Sequence, residues 1–275
     1  MECFELNNGV KMPAFGLGTY PMNGKELVKT IFWASRIGYT SFDTSTSYNN
    51  ETFLGQGLKY SFRKRRQLFI TTKISNRQQR EEGAVKALRT SLQMLRLDYV
   101  DLYLMHWPNP DTFVDTWLQM EQLYKQGLCK AIGVCNFHKH HFETLFQKST
   151  ITPMVNQIEL HPLLAQQKLR SYCKRLNVQI EAYSPLGRMH EKLIQNETLV
   201  ELSKKYKKTV PQIVLRWHYQ SGVVSIAKTS RIKRLKENID VLNFKISDGD
   251  MCEINNLDCG FRVRFDPDNC DFSKL

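Results

Sequence analysis

The stretch Y-V-D-L-Y-L-M-H-W (99–107) is an apolar run of strand length that ends on a histidine and a tryptophan. Ahead of it, Val85, Leu88, Leu92 and Leu95 stand 3, 4 and 3 residues apart, the spacing of one helix face. Behind it, W-L-Q-M-E-Q-L-Y-K-Q-G (117–127) reads as a helix closed by Gly127, and C-K-A-I-G-V (129–134) as the next strand. The alternation continues in both directions. Upstream lie the strand signals F-G-L-G-T (15–19), T-S-F-D-T (40–44) and L-F-I-T-T-K (68–73). Downstream lie M-V-N-Q-I-E-L (154–160), V-Q-I-E-A-Y (178–183) and V-V-S-I-A (223–227). Helical patterns separate them at 24–36, 50–61, 138–149, 166–176 and 197–220, with a last face at Ile232, Leu235, Ile239 and Leu242. Eight strands alternating with helices over about 250 residues predict an α/β protein, a (β/α)8 TIM barrel forming one domain over 1–275. An open, doubly wound sheet is the competing architecture. Residues 1–12 are expected to form a short β-hairpin turning at Asn8-Gly9.

Composition narrows the classes. A chain of 275 residues with 41% hydrophobic and 24% charged residues has the make-up of a globular protein and buries a core without a disulfide or metal staple. The net charge of +12 points to an anionic partner or to a solvated surface, and composition does not choose between them. The seven cysteines are odd in number and lack C-x-x-C spacing, which reads as free thiols in a reducing compartment. The N-terminus has no basic start followed by an apolar stretch, and no apolar run approaches the ~20 residues that span a bilayer. A cytoplasmic protein without membrane contact is expected.

Three motifs receive bland readings. Gly16-Leu17-Gly18 lacks the third glycine of a dinucleotide fingerprint and is expected to serve a close strand approach. His138, His140 and His141 open a helix with no accompanying thiol or carboxylate pattern, so no metal is expected. Arg63-Lys64-Arg65-Arg66 falls between a helix and a strand and reads as a solvated loop rather than a nucleic-acid patch.

In such barrels chemistry sits at the C-terminal ends of the strands. Asp43, Lys73, His106, Asn136, Glu159, Tyr183 and Lys228 all fall near those ends, and Tyr48 follows Asp43 in its loop. A phenol, with pKa about 10, is a poor proton donor at neutral pH. An adjacent ammonium lowers that pKa, so Lys73 is expected to tune Tyr48, with Asp43 holding the ammonium and His106 directing a substrate oxygen.

These residues sit in longer motifs: G-Y-T-S-F-D-T-S-T-S-Y-N-N-E-T-F-L-G (38–55), L-M-H-W-P (104–108), I-G-V-C-N-F (132–137), N-Q-I-E-L-H-P (156–162), A-Y-S-P-L-G-R (182–188) and A-K-T-S-R-I-K-R-L-K-E-N (227–238). In that order and over the whole chain, the sequence closely resembles the aldo-keto reductase superfamily, in particular its bacterial, diketogluconate reductase-like branch. The resemblance implies a (β/α)8 barrel that moves a hydride between NADPH and a carbonyl or alcohol, with Asp43, Tyr48, Lys73 and His106 as its catalytic tetrad. It implies NADPH/NADP+ contacts from Gly18, Thr19, Asp43, Asn136, Gln157, Tyr183, Ser184, Leu186, Lys228, Thr229, Arg234 and Asn238. Asn136 and Gln157 would bond the nicotinamide amide and Tyr183 would stack on the ring. Thr229 and Ser230 are good N-cap residues, which suits a helix end facing the adenosine phosphate. Tyr20, Tyr48, His106 and Trp107 would line the substrate pocket. The chain departs from the family pattern at Thr40, Ser75, Cys135 and Ala227. A monomer acting on small-molecule carbonyls is expected. The alternative from another class is a regulatory or structural barrel that binds NADPH with little turnover.

Overall fold

The computed structural model describes residues 2–272; Met1 and residues 273–275 of the expected 1–275 domain lie outside the described residues. The chain opens with β1 (Cys3–Glu5) and β2 (Lys11–Pro13), paired antiparallel. Their loop closes where the Leu6 N–H donates to Val10 O and the Gly9 N–H to Leu6 O, with Gly9 at φ +83°. There follow β3 (Phe15–Gly18), α1 (Gly24–Ile37), β4 (Ser41–Asp43), α2 (Glu51–Lys59), β5 (Phe69–Ile74), α3 (Asn76–Glu81), α4 (Gly83–Leu95) and β6 (Val100–Met105). Next come α5 (Phe113–Lys125), β7 (Cys129–Cys135), α6 (Lys139–Leu145), β8 (Val155–Glu159), α7 (Gln167–Arg175) and β9 (Gln179–Tyr183). The chain continues with α8 (Glu191–Ile194), α9 (Glu197–Tyr206), α10 (Val210–Gln220), β10 (Val224–Ala227), α11 (Ile232–Ile239) and α12 (Asp248–Asn255).

Strands β3 to β10 form a closed barrel in which every neighbouring pair is parallel. Closure is decided by β10, which pairs with both β3 and β9; this rules out the open doubly wound sheet. The strands read as unbroken apolar runs because helices cover one face and barrel side chains the other. All of β5 and β6 is buried, including Thr71, Thr72, Lys73 and Asp101. Gly16 is needed where β3 meets its neighbours. A Cβ there would stand 2.9 Å from Ile226 Cγ2 and 3.0 Å from Ser41 Oγ.

Several expectations need correction. The single helical region over 197–220 is two helices, because Lys207 turns left-handed at φ +53° and Thr209 caps α10 in a reciprocal pair with Gln212. Leu242 lies beyond α11, which ends at Ile239. Neither Thr229 nor Ser230 caps α11; its N-cap is Arg231, and Thr229 Oγ1 instead accepts the Arg231 N–H at 3.2 Å. The basic run is not simply solvated. Arg63 Nη2 donates to Ser35 O at 3.1 Å, and Arg65 pairs with Asp101 at 2.7 Å while lying over the Tyr99 ring. The seven cysteines are free thiols. Among the described residues no helix is long and apolar enough to cross a membrane.

Candidate active site

A cavity of about 820 Å³ opens at the C-terminal ends of the barrel strands. Its wall brings together Gly18, Thr19, Tyr20, Asp43, Tyr48, His106, Trp107, Asn136, Gln157, Tyr183, Ser184, Leu186, Lys228, Thr229, Arg234 and Asn238. Of the strand-end candidates, Lys73 and Glu159 stay behind the wall, both buried.

The strands aim the four central side chains. Asp43 ends β4 and Lys73 lies in β5, so parallel pairing sets their ends side by side. Lys73 Nζ donates to Asp43 Oδ1 at 2.5 Å and to Thr44 O at 2.9 Å. Burial opposes the ammonium, yet Asp43 and the surrounding acidic groups hold its pKa above the ordinary lysine value. Tyr48, at the end of a short 3₁₀ turn, sets its ring 5.2 Å from Lys73 Nζ and edge-on to His106, with centroids 5.8 Å apart. The balance at Tyr48 runs against expectation. Desolvation outweighs the pull of Lys73, and the phenol is pushed up to about 12 rather than down. Tyr48 is therefore protonated at neutral pH.

His106 is neutral: burial first, then Lys73 and Arg264, bring its pKa down to about 3. Its Nδ1 lies 3.2 Å from Ser45 Oγ and 3.3 Å from Ser47 Oγ. With a serine hydroxyl donating to Nδ1, the ring carries its proton on Nε2 and offers a donor to the cavity. Neither serine stood out in the sequence, because only the folded loop shows what their hydroxyls bind.

Beyond this cluster the wall is amide-rich. Asn136, left-handed at φ +63°, donates from Nδ2 to His106 O at 3.1 Å and accepts the Tyr183 hydroxyl at 2.8 Å. Gln157 Nε2 donates to Asp43 Oδ2 at 3.0 Å and to Glu181 Oε2 at 2.7 Å. Cys135 ends β7, and burial raises its thiol well above the ordinary value, so it is an inert packing group. Ser75 forms part of the wall and caps α3 through Gln78, which is the local use of a small hydroxyl there. At the far end, Lys228 and Arg234 form no ion pair among the described residues and stand ready for an anion, flanked by Thr229 and Asn238.

The C-terminal tail completes the cavity, which sequence reasoning missed. Arg264 and Phe265 enter its wall because the buried Glu159 accepts the Val263 N–H at 2.6 Å and the Arg264 N–H at 2.9 Å. The signal was present in Glu159 itself, an acid ending an apolar strand, whose carboxyl also lies 3.1 Å from His161 Nε2 two residues on. The same tail corrects the histidine reading, which found no carboxylate beside the patch. Asp268 lies 2.7 Å from His138 Nδ1 and 3.3 Å from His140 Nε2. The 2.7 Å contact is a hydrogen bond, tighter than the roughly 3.3 Å between two ligands of one tetrahedral zinc with ~2.0–2.1 Å bonds. Together these contacts pin the tail to the start of α6.

Comparison with known proteins agrees with this geometry. The family model described as the Aldo/keto reductase family matches residues 12–258. Glyoxal reductase of Bacillus subtilis (strain 168) is 46% identical over 272 residues, covering 98% of each chain. Methylglyoxal reductase DkgA of Salmonella typhimurium is 43% identical over 265 residues, covering 96% of each. The crystal structure of a Bombyx mori aldo-keto reductase (AKR2E4) in complex with NADP superimposes with a TM-score of 0.89 at 33% identity, covering 97% of this chain and 95% of that one. The barrel, the cavity at its strand ends and these similarities together place the chain in the aldo/keto reductase family.

Proposed function

We propose that this chain, read as one barrel domain over 1–275, is an NADPH-dependent reductase of small aldehydes and ketones, with Tyr48 as the proton donor. The observation that carries the reading is the cavity itself: Asp43, Tyr48 and His106 at one end and the cations Lys228 and Arg234 at the other. An extended dinucleotide with a 2′-phosphate suits that layout, its anionic end meeting the cations and its redox ring meeting the tetrad. When bound, NADPH supplies the hydride that reduces the carbonyl carbon.

The protein's own groups do the rest. His106 Nε2–H directs the carbonyl oxygen. Tyr48 donates its proton to that oxygen as negative charge builds there. Lys73, kept charged by Asp43, stabilises the phenolate left on Tyr48. The high Tyr48 pKa matches an acid that releases its proton only against a strongly basic alkoxide. Asn136, Gln157 and Tyr183 would hold the nicotinamide end, Ser184 and Leu186 the pyrophosphate, and Thr229 and Asn238 the adenosine, with Gly18 and Thr19 also lining the cavity. Tyr20 and Trp107 wall the substrate side. The glyoxal and methylglyoxal reductases among the relatives support small dicarbonyls as substrates. A cytoplasmic monomer is the state proposed, with size-exclusion chromatography as its check.

The test is oxidation of NADPH and of NADH against a panel of aldehydes, dicarbonyls and keto-sugars. Turnover with NADPH, stronger than with NADH, is expected. NADPH binding with no turnover on any carbonyl would overturn the reading.

A further inference from the structure

Glu181 belongs to no motif used so far. It lies in β9 directly across from Gln157 of β8, is 1% exposed, and points its carboxyl into the barrel beneath the cavity. One atom, Gln157 Nε2, touches both Glu181 Oε2 and Asp43 Oδ2. Asp43, paired with Lys73, is a carboxylate that can only accept, so the Gln157 atom shared by the two acids is the amide nitrogen. Both amide hydrogens of Gln157 are therefore spent on acids within the barrel. Its carbonyl oxygen accepts no hydrogen bond from the described residues, and the residue lines the cavity.

We propose that Glu181 is a positioning residue: with Asp43 it locks the Gln157 amide so that only its carbonyl oxygen faces the cavity, as the acceptor for the N–H of a nicotinamide carboxamide. The proposal rests on the NADPH reading above. Asp43 alone leaves one Gln157 hydrogen free and the amide able to turn, presenting a donor where an acceptor is needed. Charge explains how a second acid is tolerated 2.7 Å from that amide. Lys73 bonds Asp43 and only weakly favours the Glu181 carboxylate, while burial, followed by Asp43, pushes Glu181 up to about 8, so its neutral form is favoured at pH 7. A neutral carboxyl still accepts through its carbonyl oxygen, and so does a glutamine side chain.

The experiment measures dissociation constants at pH 7 by fluorescence quenching for NADPH and for adenosine 2′,5′-bisphosphate, which lacks the nicotinamide. Glu181→Leu should weaken NADPH about 10-fold and leave the bisphosphate within 2-fold, while kcat at saturating NADPH falls less than KM rises. Glu181→Gln should restore NADPH binding to within about 2-fold of wild type. In a Gln157→Ala background, Glu181→Leu should add nothing. If leucine is not tolerated, Glu181→Asp draws the carboxyl back by one methylene and should shift NADPH affinity in the same direction. Full NADPH affinity in Glu181→Leu or Glu181→Asp, equal losses for both ligands, or additivity with Gln157→Ala would overturn the proposal while the cofactor reading stood. Wild-type protein that bound neither ligand would overturn both.

Discussion

Replacing Tyr48 with Phe removes one hydroxyl from the cavity wall and leaves its packing against Tyr20 and His106 in place. The size of the loss depends on what else can supply a proton. His106 is the only other titratable group of the tetrad lining the cavity besides Asp43, and its pKa is about 3. At pH 7 such a ring is protonated in about one molecule in 10⁴, so recruiting it costs about 5 kcal/mol. General acid catalysis contributes about 10²–10⁴-fold, and with so scarce a substitute the loss should fall near the top, about 10³–10⁴-fold in kcat. The sign of the pH effect follows. His106 gains its proton as pH falls, so the residual rate of Tyr48→Phe should rise about tenfold per pH unit on acidification. Wild type should show no loss of reduction from Tyr48 ionisation below about pH 11, because burial pushes the phenol up to about 12. The assay is NADPH oxidation with glyoxal at saturating cofactor, beside NADPH affinity by fluorescence, which should change less than about 3-fold. A kcat loss below tenfold at pH 7 would refute the assignment of Tyr48 as the acid.

Three further outcomes are expected. Lys73→Met leaves Asp43 buried and uncompensated, so urea unfolding should show a loss of about 3–5 kcal/mol together with a lower kcat. Unchanged stability would contradict the pairing. Arg234→Ala should weaken NADPH about 10–100-fold in a binding titration and leave NADH affinity nearly unchanged. Equal effects on both cofactors would move the 2′-phosphate elsewhere. Glu159→Ala releases the Val263 and Arg264 N–H groups, so hydrogen exchange at those amides should accelerate and KM for the carbonyl should rise. Protected amides in the variant would show that other contacts hold the tail.

The barrel was legible because each strand is buried on both faces and so is written as an apolar run between helical patterns. The break between α9 and α10 carried its own signal, Thr209 three residues before Gln212, but an apolar periodicity running on either side hid it. Asp43, Lys73 and His106 could be picked out as polar groups at strand ends. What could not be read was how burial and charge balance there. Lys73 beside Tyr48 suggested a lowered phenol pKa, and desolvation reverses the sign. The tail was invisible for another reason. Arg264 and Phe265 reach the cavity through Glu159, and Asp268 reaches His138, across more than a hundred residues of sequence. Glu181 lies between these cases: it sits in a recognised strand, but its role depends on a shared amide nitrogen that only the closed barrel shows.

The central claim is that this cavity passes a hydride from NADPH to a carbonyl carbon. NADPH deuterated at both hydrogens of the nicotinamide C4, incubated with glyoxal and the enzyme, tests it directly. The account predicts one deuterium on the new alcohol carbon, one alcohol for each NADPH consumed, and loss of that transfer in Tyr48→Phe. Oxidation of the cofactor with no deuterium in the product, or no oxidation with any carbonyl, would contradict it.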